Sequence, residues 1–124
     1  MVSITYTGDI STNTYDQVVD IERIEFTDKK AKTDCYIEVP RLDGKVSFQD
    51  KKAITIVITD DEAPDKKGYD MVLNTVLYLV RKSGDSKPKD IVQFSAGGMV
   101  LRLIADKITT FRMRGNRNFK LLLK

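Results

Sequence analysis

The 124-residue sequence predicts a mainly β, α+β fold. The expected architecture is two packed antiparallel sheets or a partly closed β-barrel, with one flanking amphipathic helix at about residues 70–82. Three observations carry this expectation. Short runs rich in β-branched and aromatic residues alternate apolar with polar positions, as half-buried strands do. Turn signals (Gly8-Asp9, Asp43-Gly44, Gly97-Gly98, Gly115-Asn116) punctuate those runs. Residues 70–82 behave differently and follow a helical period. The length suits a single domain over 1–124, and 41% hydrophobic residues suffice for a core.

Each element follows in chain order. Residues 2–7 are β-rich and end at Gly8-Asp9, and the polar run Ser11-Thr12-Asn13-Thr14 reads as a loop. Residues 17–26 read as a strand whose alternation changes phase between Ile21 and Ile24, as a β-bulge requires. Asp28-Lys29-Lys30 is a turn. Cys35, Ile37 and Val39 alternate with Tyr36 and Glu38 until Pro40 ends the strand. Val46 and Phe48 share one face of a further short strand after the Asp43-Gly44 turn. Residues 53–59 are apolar on both faces, which marks a central strand. Residues 60–68 form an exposed, acid-rich loop.

In the segment 70–82, Val72, Leu73, Val76, Leu77, Leu79 and Val80 fall on one arc at 100° per residue. Asp70, Asn74, Thr75, Tyr78, Arg81 and Lys82 fall on the other, with Met71 out of place. This predicts a helix that starts near Asp70 and stops before Gly84. After the loop at 83–88, two hairpins are expected. The first joins 91–95 to 99–104 through Ala96-Gly97-Gly98; the second joins 108–113 to 119–123 through Gly115-Asn116.

Composition narrows the function classes. There is no histidine and one cysteine, Cys35, which removes the imidazole general base, His-containing metal sites and an intrachain disulfide. Cys35 alternates with Tyr36 and reads as a buried inert thiol. The acids Asp60, Asp61, Glu62 and Asp65 lack the ligand spacing and central glycine of a calcium loop. Ala96-Gly97-Gly98 is not a phosphate-binding motif, and no G-x-S-x-G or S-x-x-K occurs. No catalytic, cofactor-binding or metal-ligating set is therefore expected, and no cofactor. The opening Met1-Val2-Ser3-Ile4-Thr5-Tyr6 has neither a basic nor an apolar leader region, and no run is long enough to span a membrane.

Charge is unevenly placed. Residues 101–124 hold seven bases (Arg102, Lys107, Arg112, Arg114, Arg117, Lys120, Lys124) and one acid, Asp106, a net +6. The other hundred residues hold fourteen bases and seventeen acids, a net −3. Such polarity steers a polyanion or the acidic face of a neighbouring subunit. The candidate interaction surface is Arg102, Lys107, Arg112, Arg114, Arg117 and Lys120 together with Asp60, Asp61 and Glu62. If 108–113 is a strand, Arg112 and Arg114 share one face and Phe111 points to the core, which weakens a base-stacking groove.

Residues 3–45 carry a family resemblance. The strand Ile4-Thr5-Tyr6-Thr7 runs into Gly8-Asp9-Ile10-Ser11 and an alternating strand ends in Glu25-Phe26-Thr27-Asp28. Then come Asp34, the strand Cys35-Tyr36-Ile37-Glu38-Val39, and Asp43-Gly44-Lys45. This stretch resembles the opening β-domain of phage tail hub proteins of the late-control type, which is related to tail-tube proteins. The chain departs from that family in its length and in Pro40-Arg41 before the Asp-Gly turn. The resemblance implies a single tube-type domain without chemistry, in the virion or host cytoplasm. Its partners would be copies of itself, as a ring, and other tail or baseplate proteins. A small inhibitor-type interaction module and a single-strand nucleic-acid-binding barrel are the alternatives from the residues themselves.

Overall fold

A computed structural model describes residues 1–41, 47–82 and 89–124. Its strands are β1 (Ser3–Asp16), β2 (Ile21–Asp28), β3 (Thr33–Pro40), β4 (Ala53–Thr59), β5 (Met71–Lys82), β6 (Lys89–Ala96), β7 (Met99–Asp106) and β8 (Asn118–Leu123). The helix α1 (Lys107–Met113) joins β7 to β8. The strands close into an antiparallel barrel in the order β1-β2-β3-β7-β6-β5-β8-β4, with β4 returning to β1. The mainly β fold with a flanking helix is thus the observed class, and the barrel is closed rather than partly open.

Alternation produces the core. Ile24 and Phe26, Cys35, Ile37 and Val39, Ile54, Ile56 and Ile58, Val92 and Phe94, and Leu101 and Leu103 all point inward. An eight-stranded barrel is just wide enough for such side chains to fill it. The rings of Phe94 and Phe119 meet edge to face at 5.3 Å and 88°, a contact worth about 0.5–1.5 kcal/mol beyond burial. Phe48, fully buried, closes the end where β3 leaves and β4 enters. Met113 of α1, fully buried, covers the other.

The flanking helix is not where periodicity put it. Residues 71–82 are the strand β5, hydrogen-bonded to β6 and β8. Its register shifts between Leu77 and Leu79. Before the shift Leu77 lies opposite Phe94; after it Val80 lies opposite Val92. The inward positions therefore run 71, 73, 75, 77 and then 80, and the apolar ones from 73 onward, Leu73, Leu77 and Val80, stand four and three apart, as on a helix. The outward Val72, Val76 and Leu79 repeat the same spacing. Thr75 shares the inward face opposite Phe119, and its hydroxyl is satisfied there by donating to the Phe119 carbonyl at 3.0 Å.

Conversely, 107–113 is α1, not the first strand of a hairpin. Asp106 caps it: Oδ1 accepts from the Thr109 amide at 2.8 Å and Oδ2 from the Thr109 hydroxyl at 3.1 Å. Thr110 and Met113, three residues apart, form its buried face. The partner strand, β8, is where the sequence puts it.

Three further expectations are corrected. The run 11–14 is not a loop, since β1 continues to Asp16 and changes partner from β4 to β2. The bulge lies there, on β1 between Ile10 and Thr12 opposite the consecutive Phe26 and Glu25, and β2 itself pairs with β3 without a shift. The inward residue that keeps β2 in phase is Glu22, fully buried. Its Oε1 accepts from the Phe48 amide at 3.0 Å and from Asn13 Nδ2 at 3.2 Å. An apolar Ile21 beside a buried acid looks like a phase change. Phe48 belongs to no strand, while Val46, the Asp43-Gly44 turn and the loop 83–88 lie outside the described residues. The β6–β7 hairpin turns at Gly97 and Gly98, with φ of 59° and 95°, the left-handed conformation that a tight hairpin needs.

Candidate interaction surface

The acidic loop after β4 and the basic segment around β8 meet across one open cleft of about 660 Å³ on the outer face of the barrel. Asp60, Asp61 and Glu62 form one rim; Asn116, Arg117 and Lys120 line it with them, and Asn74 of β5 contributes too. Register explains the meeting, because Thr59 lies opposite Lys120, which lies opposite Asn74.

The rim residues do different work. Asp60 is a pin: Oδ1 accepts from the Val2 amide at 2.8 Å and Oδ2 from Asn116 Nδ2 at 2.6 Å. The Asp60 amide donates back to the Val2 carbonyl at 3.1 Å. Asp61 Oδ1 accepts from the Ala63 amide at 3.0 Å, and Asp65 Oδ1 from the Lys67 amide at 3.0 Å. These carboxylates shape the loop by binding their own backbone. The Lys120 ammonium donates to Asn74 Oδ1 at 2.7 Å. The Glu62 carboxylate and the Arg117 guanidinium have no hydrogen bond or ion pair among the described residues, which leaves one free charge of each sign at the cleft.

The remaining predicted bases lie elsewhere. Arg102 of β7 stacks over the Tyr36 ring at 4.9 Å. The Tyr36 hydroxyl donates to Glu38 Oε2 at 2.8 Å, which also accepts from Arg23 Nε at 3.2 Å. Burial, then the Glu38 carboxylate, raises the Tyr36 phenol above its ordinary range. Arg23 Nη1 donates to Asp16 Oδ2 at 3.0 Å, and this bond holds that carboxyl below its ordinary range. Arg114, just past α1, stands 3.9 Å from the buried Asp90, whose Oδ2 accepts from the Thr110 hydroxyl at 3.0 Å. Lys107 and Arg112 are exposed on α1. The +6 segment is thus divided among the cleft, the helix and the β7 face.

Because 107–113 is helical, Phe111 does not point to the core. It is 74% exposed, and Ile108, one turn before it, is 78% exposed. At the other end of the strands Val18 and Val19, in the β1–β2 turn, are 93% and 52% exposed. Sequence reasoning missed these four residues. The signal in hand was the cap Asp106-x-x-Thr109, and Val18-Val19 set between Asp16 and Asp20.

Among the described residues no group of three or more Cys, Asp or Glu is placed to hold a metal ion, and no helix is long and apolar enough to cross a membrane. Burial pushes the Cys35 thiol well above its ordinary range, with Asp28 and Asp34 adding to the shift. No known family model matches the chain, and neither does any curated protein.

Proposed function

We propose that this chain is a non-enzymatic structural subunit of a phage tail, baseplate or related contractile injection assembly. It acts through its outer surface, by self-association into rings or tubes or by adaptor contacts with other tail or baseplate proteins. The virion or the host cytoplasm is then its location.

The observation that carries this reading is the mixed-charge cleft. Side chains from β4, β5, β8 and their loops bring a carboxylate and a guanidinium, each unpaired among the described residues, to one outer face. A surface with both signs discriminates between partners by complementarity. The described residues that bear the tail-hub resemblance, 3–41, form the three consecutive barrel strands β1, β2 and β3.

The nucleic-acid reading is weaker. Single-strand binding uses a continuous cationic groove lined with aromatics, and here acids share the cleft with Arg117 and Lys120. An inhibitor-type module would use the same cleft but would not self-associate.

Negative-stain microscopy and native mass spectrometry of the purified protein, with and without the products of neighbouring genes, test the proposal. Rings, tubes or a defined complex are expected, and Glu62→Lys or Arg117→Glu should weaken them. A strict monomer that captures none of those products would overturn the reading.

A further inference from the structure

The two exposed apolar clusters sit at opposite ends of the barrel. Ile21 of β2 pairs with Pro40, so the β1–β2 turn lies where β3 ends. Asp34, at the start of β3, pairs with Ile104, so β7 runs into α1 at the far end. One end therefore presents Val18 and Val19, and the other Ile108 and Phe111.

The charges that flank them in sequence differ in sign. On α1, Lys107, Ile108, Phe111 and Arg112 share the face opposite the buried Thr110 and Met113. Neither Lys107 nor Arg112 has an ion pair among the described residues. At the turn, Asp16 and Asp20 bracket the valines. Asp16 is tied to Arg23, but among the described residues Asp20 has only the Tyr15 hydroxyl as a side-chain partner. Arg41 stacks over Tyr15 at 4.3 Å, and its amide donates to the Asp20 carbonyl at 3.0 Å. The Val18 amide donates to Asp16 Oδ1 at 2.9 Å. The turn is therefore held in shape before any contact, which lowers the ordering cost of binding.

We propose that the α1 face docks the β1–β2 turn of a second copy of this chain. Val18 and Val19 pack on Ile108 and Phe111, while Asp20 faces Lys107 and Arg112. The partner is a second copy because this chain carries both halves, apolar against apolar and acid against base, at ends that leave each other free. The contact is heterologous, so it propagates from copy to copy and ends in a ring or an open stack according to its rotation. The inference rests on the self-association named under the proposed function and assigns it a contact outside the cleft.

Sedimentation velocity over a concentration series tests it. The wild-type average mass should rise with concentration. Phe111→Glu and Val18→Glu, both at exposed sites, should keep the wild-type circular dichroism melt and sediment as monomers. Each variant retains one intact half, so an equimolar mixture should form dimers and nothing longer. Asp20→Lys should weaken association, and adding Lys107→Glu to it should restore part of the loss. Three outcomes would overturn the contact: a wild type that stays monomeric throughout, whether or not it shows salt-sensitive oligonucleotide binding that is lost in Phe111→Glu; variants that assemble like wild type; or a mixture that stays monomeric. If assembly survives the end variants but fails in Arg117→Glu, this contact falls while the structural-subunit reading stands.

Discussion

Asn116 donates a 2.6 Å hydrogen bond from Nδ2 to Oδ2 of Asp60, across 56 residues of sequence. With the Val2 amide on Oδ1, one carboxylate ties the first strand, the acidic loop and the turn that leaves α1. Asp60→Ala should lower stability by about 1–3 kcal/mol, because it strands two donors at a charge-assisted site. Glu62→Ala, on the same rim and without a side-chain partner among the described residues, should fall within about 0.5 kcal/mol of wild type. Urea unfolding of both variants checks the difference.

Gly8 marks a close approach of β1 to β2. A Cβ there would lie 2.2 Å from the Thr27 carbonyl oxygen. The constraint is contact, not backbone angle. Gly8→Ala should cost about 1–3 kcal/mol through forced displacement of the strand. Gly115→Ala, where an added methyl meets nothing within 4 Å, is the control and should be close to neutral. Thermal melts of the pair suffice.

Asp28 supplies the acid-side dependence. Burial pushes its carboxyl up, but amide donors from Ala31, Thr7 and Lys30, with the Lys30 charge, outweigh burial and hold it below its ordinary range. A carboxyl lowered by folding stabilises above its unfolded pKa, and that contribution disappears as pH falls through the folded value. Stability should therefore decline below the ordinary carboxylate range. Asp28→Asn should be less stable at neutral pH and show a flatter acid limb. Urea midpoints from neutral to strongly acid pH measure both.

Cys35 should be silent towards a thiol reagent in the folded protein. Its sulfur is buried and its thiol is kept protonated by burial, whereas the thiolate is the reactive form. Labelling should track global unfolding and become fast in denaturant. Rapid native labelling at mildly alkaline pH would contradict the packing described for β3.

Cys35, Ile37 and Val39 were legible as inward residues because they alternate with Tyr36 and Glu38 on an uninterrupted strand. The cleft was legible only in pieces. Asp60–Glu62 and Arg117–Lys120 stood out by charge, but nothing local says that β4 and β8 pair. Asn74 lay inside a segment assigned to a helix, and Asn116 read only as a turn residue.

Strand alternation, turn glycines and the missing imidazole were local properties, and they sufficed for the mainly β class and for a surface-acting protein as the first expectation. Tertiary pairing alone decided which ambiguous segment became the helix. A bulged strand between β6 and β8 reproduces the spacing of a helical face, so periodicity at 71–82 could not separate the two. At 107–113 the β-branched Ile108, Thr109 and Thr110 favoured a strand, but no neighbouring strand was left to pair with, and the Asp106 cap with the buried Met113 turned the segment into α1. That choice, made by partners remote in sequence, is what carried Phe111 from an expected core position into water.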